Sequence, residues 1–504
     1  MKGLHQECDD PDICLCAEYH NKPKTLQEEC QEAFTKMMDN YLDEVAIRKL
    51  DIEDYKVRLQ EKFKLLKDTI ETNFRGRSFV LECCLSVKAQ LKVKNLTQPF
   101  ALILMGNPST KKSTMLDIVN SLPDCYKSDK FTPKSFVSHS ANVKKEELSK
   151  IDLLPRIRHK TLICPELAPL FSGNEENLIE IFGLLTRVLD GRGLELDSGV
   201  HGKRGYSGDY HFMMLGAVVD IPRKVWKVLG NLGPRLYFLR IPDDSLDQKN
   251  RISEIRHSFR SKPYNVRLEE CQEACREFWK YIENNPMQDE DKKITWDTQR
   301  DDSEVHNRII EIAMLLAKLR AVIPTWHTAD SDSSGLNYNF EMPIEEDPER
   351  ASNAIYNLAR GHALLYGRNF ITKDDLGVVI PVALSSAERE RVALFKLLIE
   401  NNGRIDSKNF EEKSGVSRNT ALKQMRQLDK LGLVDLVFDE AETKPRVTIQ
   451  LKDTFSWFIS DEFREYLDRF VDAFLTPKIS AYSEDFAEKT GMRKPDSTLD
   501  EHII

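Results

Sequence analysis

The sequence predicts an α/β fold: a largely parallel sheet with helices on both faces, with a helical module before it and further helical units after it. Three observations carry this prediction. From Phe100 to about residue 244, apolar strand-like runs (FALILM, KTLICPEL, YHFMMLGAVVD, RLYFLRI) alternate with helical patterns, as expected of a parallel sheet covered by helices. The first run opens into a loop that starts at Gly106 and ends in two lysines, and a helical pattern follows. At 504 residues the chain is too long for one core, so three or four units are expected.

Composition narrows the class. The chain is 40% hydrophobic and 31% charged, which suits packed domains and excludes a disordered or fibrous chain. The longest apolar runs, 100–105 and 212–219, fall far short of the roughly 20 residues that span a bilayer, so no membrane segment is expected. The opening MKGLHQECDD turns polar where an export signal needs an apolar stretch, so a cytoplasmic location is expected, nucleoid-associated in a prokaryote. The ten cysteines then read as reduced thiols. With 73 Lys and Arg against 82 Asp and Glu, the net charge of −9 confines any nucleic-acid contact to a local patch.

Six segments follow in order. Residues 1–24 form a Cys/His-rich tail in which His5, Cys8, Cys14, Cys16 and His20 suffice for a tetrahedral zinc site, although a mobile reduced tail is the alternative. In 25–77, Leu59, Phe63, Leu66, Ile70 and Phe74 recur at helical spacing and mark a buried face. The α/β core occupies 78–245 and helical segments occupy 246–386, interrupted by a polar Ser/Asp-rich loop at 328–339. A compact unit spans 387–453, and 454–504 is a C-terminal helix and charged tail. Cys83, Cys84, Cys271 and Cys275 lie in helical patterns and read as small core residues.

The strand-loop-helix context at 106–114 is what a phosphate cradle requires, because loop amides and a helix N-terminus direct positive charge at one point. The loop residues are Gly106, Asn107, Pro108, Ser109, Thr110, Lys111, Lys112, Ser113 and Thr114. Lys112 is placed to reach β/γ-phosphates and the Ser113 hydroxyl to hold Mg²⁺. Lys111 replaces the second glycine of the general pattern; the alternative is a merely basic loop. Some fifty residues on, KTLICPE ends a buried strand at Glu166, where P-loop motors carry an Asp for magnesium and then a Glu that polarises water. Pro165 stands in the Asp position, so a base is present without the usual metal carboxylate; the alternative is a Glu that caps a strand end.

With Gly106-Asn107-Pro108 opening its loop, the chain resembles the AAA+ ATPases, and among them the minichromosome maintenance (MCM) helicases, over 78–386. The resemblance implies an AAA+ P-loop NTPase core with a helical lid, binding ATP and Mg²⁺. GVHGKRGYSGDYHFMMLGAVVDIP resembles the family's pore hairpin and the strand after it, with Asp220 where the family has an Asn. Lys203 and Arg204 on that hairpin would then grip a DNA backbone; a basic surface turn is the alternative. NLGPRLYFLRIPDD resembles the element bearing the arginine finger, which places Arg235 in that role, reaching a neighbour's nucleotide and implying a homo-oligomer, in this family a hexameric ring. PERASNAIYNLARGHALLYGRNF resembles the lid, with Arg350 at the sensor position twelve residues before His362. For each arginine alone, a surface ion pair is the alternative.

The pattern from residue 387 is helix, turn (NNGRID), helix, turn, helix (SRNTALKQMRQLDKLG) and a strand pair, which describes a winged helix-turn-helix. Ala421, Met425, Leu428 and Leu431 form the inward stripe of the third helix and Ser417 its N-cap. Arg418, Asn419, Lys423 and Arg426 are the candidate DNA readers, with Lys444 and Arg446 on the wing for phosphates; protein docking is the alternative use. The expected function is an ATP-hydrolysing, DNA-binding motor. Two alternatives are an ATP-dependent DNA-binding regulator or remodeller, of a mobile element or a defence system, and a module that holds ATP with little hydrolysis.

Overall fold

The computed structural model describes residues 24–138, 147–198, 202–233, 235–241, 252, 255–256, 259, 261–327, 338–439 and 446–467; the side chains of residues 24–30, 32, 36, 40, 198, 326–327, 338, 438–439 and 446 are not described. The proposed zinc ligands, the hairpin tip at 199–201, most of the 328–339 loop and Lys444 lie outside the described residues.

Two long helices lead in, α1 (Lys24–Arg48) and α2 (Ile52–Asn73), the second capped by Asp51, whose side chain accepts from the amides of Glu53 and Asp54. Leu59, Phe63, Leu66 and Ile70 are buried on one face of α2, and Phe74 follows at its end. They pack against α3 (Ser78–Ala89) and α9 (Tyr264–Glu283), where Phe63 stacks on Phe278 at 4.7 Å.

The core is a five-stranded parallel sheet. Its strands are β1 (Phe100–Met105), β2 (Cys125–Lys127), β3 (Thr161–Cys164), β6 (Met213–Val218) and β7 (Leu236–Arg240), in spatial order β2-β3-β6-β1-β7. The runs FALILM and MMLGAV are buried at every position, as a sheet covered on both faces demands. Edge strand β2 has only three residues, one of them Lys, and no apolar run announces it. Between these strands lie α4 (Lys112–Asn120), the short α5 (Leu148–Ile151) and α6 (Leu153–Ile157), α7 (Glu175–Val188), an antiparallel hairpin of β4 (Gly193–Ser198) and β5 (Gly202–Ser207), and α8 (Arg223–Leu232).

The next unit comprises α10 (Ser303–Arg320), the strand pair β8 (Thr325–His327) and β9 (Tyr338–Phe340), α11 (Pro348–Leu365) and α12 (Leu376–Ser385). It covers the β7 edge: the Phe238 amide donates to Ser386 Oγ at 2.8 Å, and Arg320 donates to the carbonyls of Leu236 and Ser386. This unit and the core share a buried ionic cluster, in which His362 lies 2.6 Å from Asp375 and 3.1 Å from Glu82 of α3.

The last unit is α13 (Arg389–Glu400), β10 (Arg404–Asp406), α14 (Ser407–Ser414), α15 (Arg418–Lys430), β11 (Val434–Asp439), β12 (Arg446–Leu451) and α16 (Asp461–Tyr466). The NNGRID segment is not wholly a turn, because Arg404–Asp406 pairs with β12 and completes a three-stranded antiparallel sheet. Ala421, Met425, Leu428 and Leu431 are fully buried, and the Ser417 side chain caps α15 by accepting from the Thr420 amide. Aromatic residues beyond 453 join this core, with Phe458 against Phe395 and Phe463. No helix among the described residues is long and apolar enough to cross a membrane.

Candidate functional site

The loop between β1 and α4 turns back under the helix by adopting left-handed backbone at Ser109 (φ 68°) and Lys111 (φ 66°). A glycine is the usual occupant of such a position; Lys111 adopts it at a cost of roughly 1–2 kcal/mol. Lys112 then starts α4 with its stem buried, and its ammonium donates to the carbonyls of Gly106 and Asn107, both at 2.7 Å, and to Thr110 Oγ1 at 3.3 Å. Burial lowers the Lys112 pKa, and the carboxylate of Glu166 opposes that shift. Lys111 and Ser113 are exposed.

Residues that no motif announced hold the loop. Arg77, buried ahead of α3, donates from Nε to the Thr110 carbonyl at 3.0 Å, and Thr114 Oγ1 shares a hydrogen bond of 3.0 Å with Tyr264 of α9. Only the run RGRSF hints at Arg77, and nothing in the sequence links Tyr264 to the loop.

Glu166 follows β3, exposed, and accepts from the Ala168 amide at 2.9 Å. β3 is not the strand beside the phosphate loop, because β6 pairs with β1 and separates them. The strand next to the loop is the one that ends near Asp220: the Gly106 amide donates to the Val219 carbonyl at 3.1 Å. Asp220 is exposed and accepts from the amide of Ile221. Gly106, Lys112, Ser113, Glu166 and Asp220 thus gather at the C-terminal end of the sheet.

Arg235 and Arg350 do not join them. Ala101 pairs with Leu236, so Arg235 stands at the N-terminal edge of the sheet, level with Phe100 and six strand residues or roughly 20 Å from Gly106. Arg350, exposed in the first turn of α11, lies at the same edge, where its carbonyl accepts from Gln98 just ahead of β1. The two guanidinium groups flank Gly233, and Arg235 is held by Asp190 at 3.2 Å. Burial lowers the Arg235 pKa, Asp190 opposes it and Arg350 adds to it.

The β4–β5 hairpin is twisted tightly at Gly193 and Gly205, where a Cβ would meet the Tyr206 and Leu194 carbonyl oxygens at 2.1 and 2.0 Å. Tyr206 anchors it to buried Asp152 at 2.8 Å. Lys203 is exposed but ion-paired with Glu195 at 3.0 Å; Arg204 sits opposite Leu196. On α15, Arg418 and Asn419 are exposed, whereas Lys423 and Arg426 are half-buried. Of the two residues expected on a wing, Lys444 and Arg446, only the backbone of Arg446 is described.

Three comparisons bear on this geometry. Residues 345–387 match the model of the AAA lid domain. No curated protein matches the chain. Among solved structures, that of the Aeropyrum pernix Orc1 protein in complex with DNA aligns with 82% of this chain and 93% of its own at 12% identity, with a TM-score of 0.18, too low to compare arrangements. The parallel sheet in the order β2-β3-β6-β1-β7, the loop running from β1 into α4, and the matched lid together make this an AAA+ P-loop NTPase fold with a helical lid.

Proposed function

We propose that the chain is an ATP-hydrolysing, DNA-binding motor, an MCM-like helicase or translocase that works as a homo-oligomeric, hexameric ring. The observation that carries this reading is Lys112, whose ammonium is drawn by 2.7 Å hydrogen bonds into the ring of loop carbonyls at the mouth of α4. The residues fit a magnesium nucleotide: exposed Ser113 offers a hydroxyl ligand, and the loop amides and helix start offer donors to phosphate oxygens. Mg²⁺, when bound, would neutralise charge on the phosphates. Lys112 would contact the β/γ-phosphates, and Glu166 would orient and deprotonate the attacking water. Asp220 accepts rather than donates, so it would position that water and not bind a phosphate.

Arg235 and Arg350 are out of reach of their own loop, which supports a site completed by a neighbouring copy. The helices and three-stranded sheet of 389–451 support a winged helix, with Arg418 and Asn419 at the exposed start of α15 as DNA readers and the hairpin as a backbone grip. Pro165 supports a second reading, in which nucleotide is held with slow turnover, since no second carboxylate precedes Glu166.

The test is ATP turnover with and without single- and double-stranded DNA, in the parent and in Lys112→Ala and Glu166→Gln variants. DNA-stimulated phosphate release that both variants abolish supports the motor. Nucleotide binding without release supports the second reading.

A further inference from the structure

A cleft of about 820 Å³ separates α8 of the core from α15 of the last unit. Its lining includes six Lys or Arg side chains (Arg223, Lys224, Lys227, Arg320, Arg391 and Lys423) against two glutamates, Glu388 and Glu390, in a chain whose net charge is −9. Two of the six are committed to backbone, Arg320 to the carbonyls of Leu236 and Ser386 and Arg391 to those of Leu319 and Ala321. The other four also line the cleft, Arg223, Lys224 and Lys227 exposed and Lys423 half-buried.

Arg223, Lys224 and Lys227 form an exposed row in the first half of α8. Arg223 donates from two nitrogens to the partly buried Glu390, whereas Lys224 and Lys227 have weak surface partners, the Gly173 carbonyl at 2.5 Å and Glu175 at 3.4 Å. Such contacts exchange readily for phosphate oxygens. Across the cleft, Asn419, Lys423 and Gln427 of α15 supply further donors, and the field of Arg223 reaches Lys423. Arg223 and Lys224 of α8 and Asn419 and Thr420 of α15, in the first turns of their helices, are among the lining, so both helix N-termini add to its positive potential. A row of cations facing a row of amide and ammonium donors suits a polyanion that carries charge at regular intervals and polar edges between.

We propose that this cleft binds the phosphodiester backbone of a nucleic acid, held by Arg223, Lys224 and Lys227 on the core side and by Lys423 on the other. This rests on the nucleic-acid reading above and extends it: the strand touches core and winged unit at once, through an α8 row with no role in nucleotide binding.

The experiment is fluorescence anisotropy of labelled single-stranded and duplex oligonucleotides with the full chain over a salt series, with sedimentation of the same samples. Lys224→Gln/Lys227→Gln is expected to bind several-fold more weakly than the parent. Its log–log salt slope is expected to be smaller by about 1.4 on single strands or about 1.8 on duplex, as two lost phosphate contacts require. Loss on either nucleic acid supports the proposal and identifies the strand form that occupies the cleft. Parental affinity and slope overturn it. Loss of binding accompanied by dissociation of an oligomer also overturns it, because the row would then join copies of the chain. If Arg418→Ala/Asn419→Ala loses binding while the α8 variant keeps it, the cleft proposal falls and the DNA-binding reading stands. If the parent binds neither oligonucleotide, both fall.

Discussion

Lys111 occupies left-handed backbone (φ 66°, ψ 20°) immediately before the first turn of α4. Asparagine tolerates that region better than lysine, so Lys111→Asn is expected to stabilise the fold by about 0.5–1 kcal/mol in denaturant unfolding; a loss of stability would show that the Lys111 side chain contributes more than its strain costs. His362 carries a second residue-scale effect. Burial opposes its charge, but hydrogen bonds and charge from Asp375 and Glu82 outweigh burial and raise its pKa from the ordinary 6.5 to about 9. A pKa raised on folding stabilises fully below pH 6.5 and is lost as pH climbs through about 9. Between pH 6.5 and 9.5 the parent's unfolding midpoint should therefore fall more steeply than that of His362→Gln, and equal slopes would count against a protonated His362. The positions of Lys112 and Glu166 just beyond strand ends were legible, because the apolar runs before them mark those ends. Arg77, Tyr264 and Asp190 were not, since each acts on a loop or residue far away in sequence and belongs to no pattern.

At the scale of elements, the lid helix α11 crosses α3 so closely that a Cβ on Gly361 would lie 1.9 Å from the Ser86 carbonyl oxygen. Backbone cannot yield as a flexible side chain can, so Gly361→Ala is expected to cost about 1–3 kcal/mol or more in denaturant unfolding, and a neutral variant would mean that the crossing is looser than the geometry gives. Long periodic or fully apolar elements could be read directly from the sequence: α2 by its spacing of three and four, β1 and β6 by their unbroken apolar runs. β2 and β10 could not, because three residues with a Lys or Arg among them carry no periodicity, and only their pairing partners make them strands. Ser417 was legible as a cap because its hydroxyl meets the Thr420 amide within one turn. Lys423 looked like an open reader on a helical wheel, whereas α8 faces it across a cleft that no local pattern reveals.

At the scale of the whole molecule, the sheet separates two half-sites. Lys112, Glu166 and Asp220 gather at one end of the strands, with Arg235 and Arg350 at the other, as strand register and the Gln98–Arg350 hydrogen bond show. If neighbours complete each other's sites, Lys112→Ala and Arg235→Ala are each inactive alone. Mixed in equal amounts and allowed to exchange, they should recover about a quarter of parental turnover, the chance that an intact loop meets an intact arginine. No recovery would place Arg235 in a purely structural role with Asp190. All of this presupposes that the loop at 106–114 holds a triphosphate. Equilibrium binding of a fluorescent ATP analogue with Mg²⁺ to the parent and to Lys112→Ala tests that most directly: saturable binding by the parent that the variant loses at least tenfold is the expected result, and a parent that ignores the nucleotide, or a variant that binds it equally well, would contradict the account.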